Sequence, residues 1–186
     1  ATNQIAKGEV MQLMNVGKLN TTLEQYMKVI NYKTATLFEA STRSSAILAK
    51  KNEKNINKLG DYGKHLGLAF QISDDILDFT AKNSNQIGKN IGDDLEGGKI
   101  TLPIIYGYKF SNSSDKKNIK RILKSKSKAS FNELKDILIK TGAIDMSIKK
   151  ANYHATFARK SISYLKHDNY KDLLLKLADF SISRKK

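Results

Sequence analysis

The 186-residue sequence contains no cysteine and a single proline, Pro103. Without cysteine there are no disulfides, no thiolate-held zinc and no thiol nucleophile, a composition that fits a reducing, cytoplasmic compartment. With one proline, helices can run long without interruption. No apolar stretch approaches the roughly 18 residues needed to cross a bilayer, and no signal-peptide pattern opens the chain. Only three histidines occur, His65, His154 and His167, and no Ser-His-Asp arrangement stands out around them. No segment alternates like a strand, and no internal repeat is visible.

What the sequence has in excess is positive charge: 33 Lys and Arg against 18 Asp and Glu, net +15. Such a balance suits nucleic acid, an anionic membrane surface or phosphorylated small molecules. Nearly all of it is lysine, with arginine only at Arg43, Arg121, Arg159 and Arg184. Sequence-specific nucleic-acid readers lean on arginine's planar fork, so this composition argues against a nucleic-acid partner. The densest basic run, Lys116 to Lys128, reads as the solvated face of a surface helix. The hydrophobic fraction of 40 % is ordinary for a globular chain, and the length suffices for one helical domain spanning residues 1–186.

The periodicity predicts helices over 5–16, from a capping box at Thr21-Thr22-Leu23-Glu24 to about residue 50, and over 59–79. Residues 80–100 carry four glycines and read as a loop. Thr101-Leu102-Pro103 opens a further helix with proline in its first turn. Helices are also expected over 115–126, 131–141 behind a Ser130–Glu133 capping box, 144–166 and 169–183. The fold class is all-α.

The most informative stretch is GKHLGLAFQISDDILDF, residues 63–79. On a helix, Gln71, Asp74, Asp75 and Asp78 share an arc of about 100°, with Gly67 one turn earlier leaving that face uncrowded. Leu66, Ala69, Phe70, Ile76 and Leu77 cover the other side. Carboxylates on adjacent turns repel, and magnesium is a natural offset, because it takes hard oxygens and leaves room for waters and phosphate. The glycine-rich segment 88–103 then places Lys89 and Lys99 where they can fold back over the aspartates as point-charge phosphate ligands.

Taken together, Gly8-Glu9…Gln12, Lys33-Thr34-Ala35, Gly67…Phe70-Gln71, Asp74-Asp75-Ile76-Leu77-Asp78, Gly88-Lys89, Gly92, Asp94, Lys99 and Thr101-Leu102-Pro103 are similar in order and spacing to the trans-isoprenyl diphosphate synthases. Within them the chain most resembles long-chain polyprenyl synthases of the octaprenyl kind. The resemblance implies an isoprenoid-synthase-type helical bundle and magnesium-dependent prenyl transfer between an allylic diphosphate and isopentenyl diphosphate, with family members forming homodimers. It implies metal binding by Asp74, Asp75 and Asp78. It implies contacts to the allylic diphosphate from Lys33, Thr34, Gln71, Lys89 and Lys99, and a homoallylic-substrate wall at Phe70. Asp94 is expected to partner Lys89 or Lys99.

One departure is large. The family's first aspartate-rich motif precedes the segment matched here, as do the residues that hold isopentenyl diphosphate and limit product length. The chain therefore reads as the C-terminal part of such a synthase, inactive by itself and completed by a polypeptide carrying the front half. A non-catalytic regulatory subunit of a full-length synthase is the alternative, and peripheral membrane contact during product release is a further expectation.

Overall fold

The computed structural model describes residues 1–81 and 90–183, and among these every regular element is helical. Lys89, one of the two loop lysines singled out from the sequence, lies outside the described residues.

The first helix, α1 (Thr2–Met14), is followed by a turn at Gly17. Next comes α2 (Leu23–Ile30), whose cap is one residue later than the sequence suggested. The Thr22 side chain accepts from the Gln25 N–H at 3.1 Å, and the Gln25 carboxamide accepts from the Thr22 N–H at 2.8 Å. The helix then passes without a break through a π-helical turn, Asn31–Ala35, into α3 (Thr36–Leu48).

The long α4 (Glu53–Thr80) begins at an Asn52 cap rather than near Leu59, so the polar stretch before Leu59 forms its first turns. The expected loop holds a short helix, α5 (Asp93–Glu96). α6 (Leu102–Phe110) carries Pro103 in its first turn, where the missing N–H has no intrahelical partner to lose. α7 (Ser113–Ser125), α8 (Phe131–Lys140), α9 (Ala143–Ser161) and α10 (Asn169–Phe180) complete the order. Ser130 makes no side-chain cap, because it closes a 3-10 turn at ψ 7° and lacks the extended backbone a cap needs, and Glu133 pairs with Arg121 at 2.6 Å.

α4 is the axis of the molecule, packed most extensively against α3 and α9. Its sequence explains the closeness. A Cβ on Gly63 would stand 2.4 Å from the Phe38 carbonyl oxygen, and one on Gly67 2.6 Å from the Ala35 Cα. Gly67 thus does not open the acidic face, as the helical wheel suggested; it lets the π turn settle directly on α4. Ile72, Ile76 and Phe79 are buried on the far side with Leu95, Leu102 and Ile104. α10 is tied in by the Tyr62 hydroxyl, which donates to the Leu174 carbonyl at 2.9 Å.

Between α4 and α9 the Nδ1 atoms of His65 and His154 meet at 2.9 Å, and Phe157 stacks on His65. Burial, then the neighbouring His65 and the charges of Lys150 and Lys64, push His154 down to about 3; burial also lowers His65. The unfolded chain therefore binds more protons than the folded one below the ordinary histidine value of 6.5. The histidine pair's contribution to stability is expected to fall as pH drops from about 6.5 to 5, by at most about 1.4 kcal/mol per pH unit for each proton taken up, while the buried Asp75, raised to about 7, works in the opposite sense. Urea midpoints measured across that range should slope less for His154→Leu; equal slopes would remove the histidine pair as the cause.

Candidate functional site

α1, the α2–π–α3 rod, α4 and the segment before α6 converge on a cleft of about 170 Å³. Its walls include Gln12, Tyr26, Lys33, Gln71, Asp74, Asp75, Lys99 and Thr101. The backbone enforces this convergence at two points. A Cβ on Gly8 would lie 2.4 Å from the Lys33 nitrogen, so only glycine lets α1 rest on the π turn. Past α1, the Gly17 N–H donates to the Gly98 carbonyl at 2.9 Å, joining the end of α1 to the lysine-bearing segment.

The three aspartates of α4 are not equivalent. Asp74 is half-buried and borders the cleft. Asp75 is buried, and both of its oxygens accept hydrogen bonds: Oδ2 from the Tyr26 hydroxyl at 2.6 Å and Oδ1 from the Gln71 amide at 3.0 Å. Gln71 is fixed in turn by the Thr34 hydroxyl, which donates to its Oε1 at 2.7 Å. Asp78 is fully buried and outside the cleft wall; its Oδ1 accepts from the Gly92 N–H at 3.2 Å. Gly92 adopts φ +84°, a left-handed conformation that suits glycine. Asp78 thus anchors the start of α5.

Both cleft lysines are held by carboxylates. Lys33 Nζ lies 2.6 Å from Glu9 and donates to the Gln12 Oε1 at 2.5 Å. Lys99 Nζ lies 2.5 Å from Asp94, which is almost wholly buried. Phe70 is half-buried against Phe38, ring centroids 5.8 Å apart, and is not part of this cleft wall.

Burial is the main force on the Asp75 carboxyl and, with the charges of Asp94 and Asp74, raises it to about 7 against the opposing hydrogen bonds of Tyr26 and Gln71. Burial also raises Tyr26 well above its ordinary range, so that its hydroxyl stays a donor. Among the described residues no three acidic or imidazole groups close into a complete cation cage. Two carboxylates beside two lysines instead form an open donor set. That set fits a hard divalent cation arriving with phosphate, since magnesium commonly takes one or two carboxylates and completes its shell from water and ligand.

Sequence reasoning missed Tyr26, which reads as one more apolar position on a helical wheel. It also missed Glu9 and Gln12 as direct partners of Lys33. No spacing in the sequence pointed to Tyr26, because the π turn at Asn31–Ala35 sets which residues of the rod share a side with it.

Comparison with known proteins follows the same lines. Residues 1–140 match the polyprenyl synthetase family model. The chain is 39 % identical over 185 residues to octaprenyl diphosphate synthase of Haemophilus influenzae, covering 99 % of this chain and 56 % of that protein. It is 36 % identical over 185 residues to octaprenyl diphosphate synthase of Escherichia coli, covering 99 % of this chain and 57 % of that protein. The chain thus spans somewhat more than half the length of these curated relatives. Polyprenyl synthase from Caulobacter crescentus CB15, solved with calcium and isoprenyl diphosphate, superposes with a TM-score of 0.91 at 34 % identity, covering 97 % of this chain and 56 % of that one. Decaprenyl diphosphate synthase from Rhodobacter capsulatus superposes at 0.89 and 34 %, covering 98 % and 56 %. With the family model matched over most of its length and an all-α structure shared with solved members, the chain belongs to the polyprenyl synthetase family.

Proposed function

We propose that this chain supplies one side of a magnesium–diphosphate site for head-to-tail prenyl transfer, of the kind that builds long polyprenyl diphosphates. The observation that carries the reading is the cleft in which Gln71, Asp74 and Asp75 of α4 meet Lys33 and Lys99, each from a separate segment. In that reaction the allylic carbon–oxygen bond breaks, with the electron pair leaving on diphosphate. The double bond of isopentenyl diphosphate then forms the new carbon–carbon bond, and a proton is lost to the departing diphosphate. The difficulty is charge separation, and preorganised cations and donors lower it.

Lys33 and Lys99 would donate to diphosphate oxygens, and Asp74 with Asp75 would hold magnesium against them. Magnesium, when bound, offsets the negative charge that develops on the leaving group. Thr34 and Gln71 fix the Asp75 side of the cleft, and Asp78 with Gly92 fixes the approach of the lysine-bearing segment.

The other side of the site would come from a polypeptide carrying the first aspartate-rich motif. Exposed apolar residues on α1 (Val10, Leu13, Met14) and α3 (Leu37, Ile47, Leu48) support such a partner. Among the described residues no helix is long and apolar enough to cross a membrane.

Calorimetric titration with inorganic diphosphate tests this reading. Binding is expected only with magnesium present, and Asp74→Asn should weaken it about tenfold or more, the scale of one charged contact. Binding that survives chelation, or that ignores Asp74→Asn, would remove the proposal.

A further inference from the structure

We infer that Tyr26 is a positioning residue for this site, holding the Asp75 carboxylate in place beside Asp74. The inference rests on the diphosphate-site reading above and goes beyond it by giving a role to a residue of α2 that lies outside the acidic and lysine-bearing motifs.

Asp75 is clamped from two elements. Its Oδ2 accepts from Tyr26 of α2 at 2.6 Å, and its Oδ1 from Gln71 of α4 at 3.0 Å. Gln71 is itself held by Thr34 at 2.7 Å. The result is a side-chain chain, Tyr26–Asp75–Gln71–Thr34, whose two ends lie on the same continuous rod.

The π turn makes that closure possible. On an unbroken α-helix, residues 26 and 34 would point about 80° apart. One extra residue taken up in Asn31–Ala35 brings them to within about 20° of each other, so both face α4. Without the bulge, one end of the chain would turn away from α4. Tyr26 is only 4 % exposed, so its hydroxyl is committed to this bond and shielded from competing water. The neighbouring Lys33 sits within the bulge and is turned toward α1, where Glu9 and Gln12 receive it. One local distortion therefore aims both the clamp and a lysine.

Outer partners that orient a carboxylate commonly affect cation affinity by about tenfold to a hundredfold when removed. Tyr26→Phe keeps the ring and deletes only the hydroxyl. In magnesium-dependent titration with inorganic diphosphate, it is expected to weaken binding about tenfold in the native background and to cause no further loss in Asp75→Asn. A purely structural tyrosine would lower affinity equally in both backgrounds. Gln71→Met severs the opposite support and carries the same expectation, which covers the case in which Tyr26→Phe does not fold. Unchanged binding in these variants, or equal losses with and without the Asp75 carboxylate, would overturn the role of Tyr26 while leaving the diphosphate site standing. Absence of magnesium-dependent binding by the unsubstituted chain would overturn both.

Discussion

Supplied with magnesium, isopentenyl diphosphate and an allylic diphosphate, the purified 186-residue chain is expected to make no polyprenyl diphosphate above a protein-free blank. The reason lies in how such a site works. Ionising the allylic diphosphate needs several charges placed together, and groups that act as a unit fail together rather than in proportion. The cleft offers Asp74 and Asp75 on one wall and Lys33 and Lys99 beside them, and the sequence has no second DDxxD cluster to oppose them. Half of a clamp can retain affinity for diphosphate without lowering the barrier to bond breaking, because only interactions stronger in the transition state accelerate a reaction. Radiolabelled isopentenyl diphosphate carried into an organic-extractable product would measure this directly. Turnover by the chain alone would show that the opposing acids are dispensable. Turnover appearing only after addition of a polypeptide with the first aspartate-rich motif would support complementation.

The largest effect on folding is expected at Gly63. A Cβ there would lie 2.3 Å from the Thr42 hydroxyl oxygen and 2.4 Å from the Phe38 carbonyl oxygen. The second of these is backbone and cannot turn aside. Gly63→Val would force α3 away from α4 where the two backbones are closely seated. Overpacking of this kind costs about 1–3 kcal/mol and sometimes more, a large part of the roughly 5–15 kcal/mol that holds a typical domain together. Denaturant midpoints by circular dichroism would read the loss. A midpoint within experimental error of the unsubstituted chain would mean that α3 and α4 are not so closely seated.

How much of this was legible in the sequence depended on the kind of signal. Apolar spacing revealed the helices, and Pro103 marked the start of α6, because both follow from short-range chemistry. Caps were less secure. Thr21 and Thr22 are equally good candidates until the chain's direction is known, and the Glu133 expected to cap α8 had an arginine within reach instead. The helical wheel gathered Gln71, Asp74, Asp75 and Asp78 onto one arc, yet it could not see that α4 is surrounded. Asp78 is as fully enclosed as Phe79, and the acidic face is an interior one.

The π turn left no mark in the sequence, since Asn-Tyr-Lys-Thr-Ala fits an ordinary helix equally well. The rod is packed at the bulge from two sides, by α1 through Gly8 and by α4 through Gly67, contacts that its own sequence does not record. For the same reason Tyr26 could be read as core but not as a partner of Asp75. Its role depends on a rotation that only tertiary packing imposes.

The pairing of Lys33 with Glu9 and of Lys99 with Asp94 carries a consequence for exchange. Under the diphosphate reading, an anion entering the cleft meets ammonium groups that already have counter-ions, so it trades places with carboxylates instead of neutralising bare charge. When it departs, the same carboxylates are on hand to reclaim the lysines. Net attraction is then the difference between two similar pairings, and a highly charged product can be gripped during reaction and still let go.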